Sequence, residues 1–395
     1  GLLGSLAAIA LALISFLPLS EILGRPIPGL IALAIILTTL VARIPLPGRV
    51  PGTLGALVVA GVIYYLLCAI GVDGYSFPTL SKVEWFPTLW MESWQGSWLS
   101  AWRDALPYLP VALPFAIATV VGGIDCTESA AAAGDSYNTP TVIAVEGLAT
   151  LIAGLCGGVI QTTPYIGHPA YKAMGGRAGY TLGTAIVIGS AGLLGYFTIL
   201  NDLIPKPAVL PILVFIGLEI TAQSFAATPK RHYAAVAIAC LPALAALVVN
   251  FVERVLSDAA LRESGIGLEN LSFIFQESYT IVLMLASGFI LTSLLWSWAL
   301  AVLIDRKLKS AAIVFFVCAA FTSCGLMHSP LEGNRLFLPF GPDAWGEVVL
   351  HGEHRSLVYE FAIGYTLVGL LFLGWRKLLD VKPLDDEALE SADAH

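Results

Sequence analysis

Charge is what this sequence has least of. Only 12% of its 395 residues are Asp, Glu, Lys or Arg, about half the share found in soluble domains. With 57% hydrophobic residues and a mean hydropathy of +0.83, that shortage excludes an ordinary water-soluble core and indicates a polytopic membrane protein. Cysteine is scarce too. The six (Cys68, Cys126, Cys156, Cys240, Cys318, Cys324) lie in or beside apolar segments, without CxxC or Cys/His ligand spacing, which argues against disulfides and against a metal site. No HExxH or GxSxG motif occurs, so an intramembrane enzyme is disfavoured. A signal peptide is also missing: Gly1 opens directly into an apolar run with no basic region before it, and the expectation is a chain that begins inside a longer protein. The net charge of -8 marks no acidic binding surface, because much of it lies in the tail LDDEALESADAH and in the loop at 253 to 277.

What the sequence has in abundance is apolar segments of spanning length. A window of about 20 residues places them near 1–20, 29–46, 53–71, 107–133, 140–159, 179–200, 207–227, 232–252, 278–304, 310–328 and 356–376, with a shorter element at 165–175. Short loops test this assignment through their Lys and Arg content. Arg43, Arg49, Lys172, Arg177, Lys230, Arg231, Arg306, Lys307, Lys309, Arg376, Lys377 and Lys382 all fall on one side, which makes that side and the C-terminus cytoplasmic. The long loop after the third segment carries Trp90, Trp94, Trp98 and Trp102, a four-residue spacing that predicts a helix lying at the headgroup level.

Two polar, glycine-rich interruptions within 119–177 stand out from these surroundings. Backbone that leaves the helix inside a bilayer is tolerated only where protein buries it or a watery cavity faces it, so such breaks point to a substrate pathway. The first holds Asp125 and Glu128, i,i+3 neighbours on one helix face behind Gly122 and Gly123. Ionisable groups at membrane depth are costly and therefore functional candidates. Both are read as substrate-binding and proton-coupling residues. The second, Gln161-Thr162-Thr163-Pro164-Tyr165-Ile166-Gly167-His168-Pro169, offers hydrogen-bonding side chains and two prolines able to start a half-helix. Gln161, Thr162, Thr163, Tyr165, Gly167 and His168 are expected to line the pocket, with His168 able to carry a proton near neutral pH. Glu146 reads as an interhelical hydrogen-bonding group, Glu219 as a gate residue, and Lys172 and Arg177 as side chains reaching the inner surface.

These residues carry a resemblance. The acid-bearing helix followed by Gly134-Asp135, the helix VEGLATLIAGLCGGV, and the Thr-Thr-x-Tyr break running into GGRAGYT are similar to the xanthine/uracil/vitamin C permeases, the nucleobase-ascorbate transporter family. The likeness covers about 1–305 and is strongest over 119–185. It implies an all-α polytopic fold of two inverted repeats of seven segments (7+7), with a core and a gate in each and substrate held between broken half-helices. On that pattern 1–71 would be the gate of the first repeat, 72–106 an extracellular loop, 107–200 the core of the second repeat and 207–304 its gate. Residues 305–376 would be two additional transmembrane helices and 377–395 an acidic cytoplasmic tail; the first four helices would be missing. The chain departs from the pattern where the substrate-binding glutamate is expected, since that position falls on Val121.

The resulting expectation is a secondary active permease of the cytoplasmic membrane for a nucleobase-like or related small polar solute, coupled to protons or else to sodium. It would work without cofactor or metal, in contact with lipid, as a homodimer, and with no nucleic-acid partner. An anion transporter of the sulfate-permease type is the alternative on the same architecture. A non-transporting receptor or scaffold is the remote one.

Overall fold

The computed structural model describes residues 1–83, 101, 104–106, 109–158, 168, 172, 176–330, 357–379 and 383–384. Among them all regular structure is helical. Among the described residues five helices are long and apolar enough to cross a membrane, or up to seven spans if each of two bent pairs counts as one. The described helices of seven residues or more are, in chain order, α1 (Leu3–Leu23), α2 (Pro26–Val41), α3 (Gly52–Ala69), α4 (Leu109–Ala132), α5 (Thr139–Leu155), α6 (Ala178–Leu194), α7 (Phe197–Leu203), α8 (Lys206–Ala226), α9 (Tyr233–Leu256), α10 (Phe273–Ala286), α11 (Phe289–Ile304), α12 (Leu308–Ser323) and α13 (Leu357–Leu379). Their positions follow the apolar segments closely. The Trp-rich element lies outside the described residues.

Two segments expected to be continuous are bent. The segment 179–200 turns by 98° between α6 and α7, and 278–304 turns by 71° between α10 and α11. Each turn sits on a glycine at positive φ, Gly195 at 72° and Gly288 at 67°. Hydropathy does not register such a residue, because glycine enters the left-handed region at no steric cost while remaining apolar.

The chain folds as two compact units. One comprises Gly1–Pro18, Ala105–Pro114 and Leu213–His395. Its helices approach closely because small residues face each other: Ala8 and Ala12 pack on Ala239 and Ala243, and Ser293 Oγ donates to the Ala239 carbonyl at 2.6 Å. A second cluster joins Leu291, Leu295, Val314, Cys318, Met327 and Tyr365. At one end of this unit Asp305 accepts from His232 Nε2 at 2.8 Å and Arg231 Nε at 3.2 Å, so the α8–α9 and α11–α12 connections share an end. The Leu384 N–H donates to the Asp305 carbonyl at 3.2 Å, which brings the chain beyond α13 to the same place.

The other unit comprises Leu19–Asp104 and Phe115–Ile212. Here Tyr65 Oη donates to the Leu203 carbonyl, and the Ser81 N–H donates to Asp202 Oδ2 at 2.8 Å, tying the segment after α3 to the end of α7. Arg25 lies over the Tyr75 ring at 5.6 Å.

Candidate functional site

Helices α4 and α5 form the framework. Helix α5 starts cleanly because Asn138 accepts from the Thr141 N–H at 3.0 Å and a proline follows in the first turn. Thr127 Oγ1 and Thr139 Oγ1 lie 2.9 Å apart, joining the two helices near their connection. Further along, Glu146 is 8% exposed and its carboxylate lies over Gly123; a Cβ at 123 would stand 2.7 Å from Oε2. The glycine on the acid-bearing helix thus makes room for the acid of its neighbour. Glu146 thus lies between the two helices.

Asp125 lies on α4 between this contact and Thr127, and its side chain is outside the described part of the structure. Glu128, on the same helix, is exposed. Gln161, Thr162, Thr163, Tyr165 and Gly167 also lie outside the described residues. Glu219 is half-buried on α8 and accepts from Gln223 Nε2 at 3.0 Å, one turn on. Among the described residues no three His, Cys, Asp or Glu side chains come together as a metal site would need.

His168 is where the structure adds most. Its Nε2 donates to Asp135 Oδ2 at 2.8 Å, and Tyr137 stands edge-on to the ring at 5.9 Å. Lys172 Nζ lies 2.8 Å from Asp135 Oδ1 and also donates to the Ala133 carbonyl at 2.8 Å, at the C-terminal end of α4 where a cation is favourable. Lys172, expected to reach the inner surface, is therefore held by an ion pair. The Lys172 ammonium and then the His168 ring hold the Asp135 carboxyl below the usual carboxylate range. Chemically, the cluster is an imidazole with one nitrogen on a carboxylate that a lysine already neutralises in part. Such a partner fixes the orientation of the ring.

Asp135 is the residue that reading the sequence passed over. In the sequence it stands only as half of a Gly-Asp pair, and its position beyond the apolar stretch suggests a solvated loop. A usable signal is the glycine before it: Gly134, at φ 90°, turns the chain immediately after the helix, as a glycine at a helix C-terminus does. No family model, no curated protein and no solved structure matches the chain.

Proposed function

We propose that the protein is a secondary active transporter that moves a nucleobase-like or related small polar solute with protons. The observation that carries this reading is the meeting of both polar interruptions at Asp135. That residue ends the first interruption and holds His168 and Lys172 of the second, each at 2.8 Å. Two polar stretches of the sequence joined by a titratable cluster, beside a helix pair with a buried Glu146, suit a pathway in which solute and proton share one site. Asp125 and His168 would bind and release the proton, Glu128 would support Asp125, and Gln161, Thr162, Thr163, Tyr165 and His168 would line the solute pocket.

The test is uptake of uracil and xanthine into proteoliposomes under an imposed pH gradient, with Asp125→Asn alongside. Uptake that rises with the gradient and falls with the substitution is expected. Uptake indifferent to both removes the proton-coupling role, and binding of small anions alone would favour the sulfate-permease type of transporter.

A further inference from the structure

The break between α10 and α11 leaves backbone carbonyls without their helical partners, and a single residue from a distant turn meets two of them. In an unbroken helix the Met284 carbonyl would take the N–H of residue 288 and the Ser287 carbonyl that of residue 291. Here the Met284 carbonyl accepts from His328 Nδ1 at 2.9 Å, and the Ser287 carbonyl accepts from the His328 N–H at 3.0 Å. His328 is fully buried and adopts φ 55°, a conformation uncommon for a residue with a Cβ. Such a backbone persists where surrounding contacts over-determine it, and the two bonds to the break are among those contacts.

The donors and acceptors settle the ring's state. A carbonyl can only accept, so Nδ1 carries the proton, and the neutral ring's Nε2 is then an acceptor. It takes the hydroxyl of Tyr365 at 2.7 Å, and the Tyr365 oxygen in turn accepts from Trp296 Nε1 at 3.0 Å. The chain of bonds runs from Trp296 on α11, through Tyr365 on α13, through the turn after α12, to the last turn of α10. Phe361 stacks on the imidazole with centroids 4.5 Å apart. Gly288 permits the geometry, since a Cβ there would collide with the Leu326 carbonyl of the same turn.

We infer that His328 is a clasp: through it the α12–α13 pair sets the angle between the two halves of the bent α10–α11 segment. The bend competes with a straight helix in which Met284 and Ser287 would bond their own downstream N–H groups. On straightening, the Met284 and Ser287 carbonyls would exchange the two His328 donors for N–H groups of their own helix, so what holds the bend is that pair of donors and the relay that fixes the His328 ring. This is a conformational element with two discrete arrangements, and it stands whatever solute the chain carries.

The experiment is a pulsed electron-spin distance measurement on the whole chain in lipid nanodiscs, with noncanonical spin-labelled residues at Ile274 and Trp298. Both positions are exposed and lie on opposite sides of the break. At about 1.5 Å per residue the two arms are about 20 and 16 Å long, so the 71° bend puts the backbone positions about 29 Å apart and a straight helix about 36 Å apart. The unsubstituted clasp should give one narrow distribution. His328→Ala should lengthen it by about 7 Å. A folded His328→Ala protein with the original distance overturns the inference. If that variant does not fold, Tyr365→Phe decides, because it keeps the ring and removes only the hydroxyl that orients His328. A second, longer population supports the clasp, and an unaltered distribution overturns it.

Discussion

His232 and Asp305 lie 73 residues apart in sequence and 2.8 Å apart in space, at the point where one spanning helix begins and another ends. Asp305 is 7% exposed, and His232, Arg231 and Lys307 surround it with donors. Burial alone would raise its carboxyl, but the bonds from His232 and Arg231 outweigh that effect and hold it below the usual range.

Acid should therefore weaken this end of the molecule. A carboxylate with a depressed folded value contributes stability that is fully present above its unfolded value of about 4 and is lost as pH falls through the folded one. Asp305→Ala should lower thermal stability at neutral pH by up to about 3 kcal/mol, since it strands partly buried cations. It should also flatten the loss of stability below about pH 4. Thermal unfolding of both proteins in detergent between pH 3 and 7 checks the difference.

A second expectation concerns the contact of α8 with α1. A Cβ on Gly217 would lie 2.6 Å from the Ala10 carbonyl oxygen and would strike the Ser15 hydroxyl, where α1 is locally wound into a wider π-helical stretch over Ala10–Phe16. Backbone cannot yield as a flexible side chain can, so Gly217→Ala should destabilise by about 1 to 3 kcal/mol. Gly61→Ala on α3, where a Cβ meets nothing within 4 Å, should leave the thermal midpoint nearly unchanged.

Asp135 gives a third, which rests on the transport reading. Lys172 and His168 keep its carboxyl low, so it stays charged throughout the physiological range and loses its charge only in acid. Asp135→Asn should accordingly lower uptake by about tenfold, a change of one factor of ten in rate, at every pH above about 5. The shape of the pH profile in that range should stay the same. A shift of the profile would make Asp135 itself a proton carrier instead of the group that positions His168.

The apolar segments were legible because membrane burial needs long runs of hydrophobic residues, and such runs are visible one residue at a time. The bends were not, because Gly195 and Gly288 change the backbone direction without changing hydropathy. Glu146 was legible as an interhelical group from the small residues around it. The partner of His168 was not, since pairing 33 residues apart depends on how the chain returns after α5. His328 is the clearest omission: among six histidines it sits in an ordinary-looking Met-His-Ser-Pro turn, and only the carbonyls of a helix 44 residues earlier reveal its use.

That separation bears on how the protein is made. The α10 half-helix, at about 21 Å, is shorter than the roughly 30 Å of hydrocarbon it would need to cross alone. A nascent chain that ends before residue 328 can satisfy Met284 and Ser287 only with its own backbone, as one straight helix through α10 and α11. With His328 as the clasp, the bend has its donors only once the turn after α12 has been synthesised, so the order of synthesis bears on the final shape of this helix.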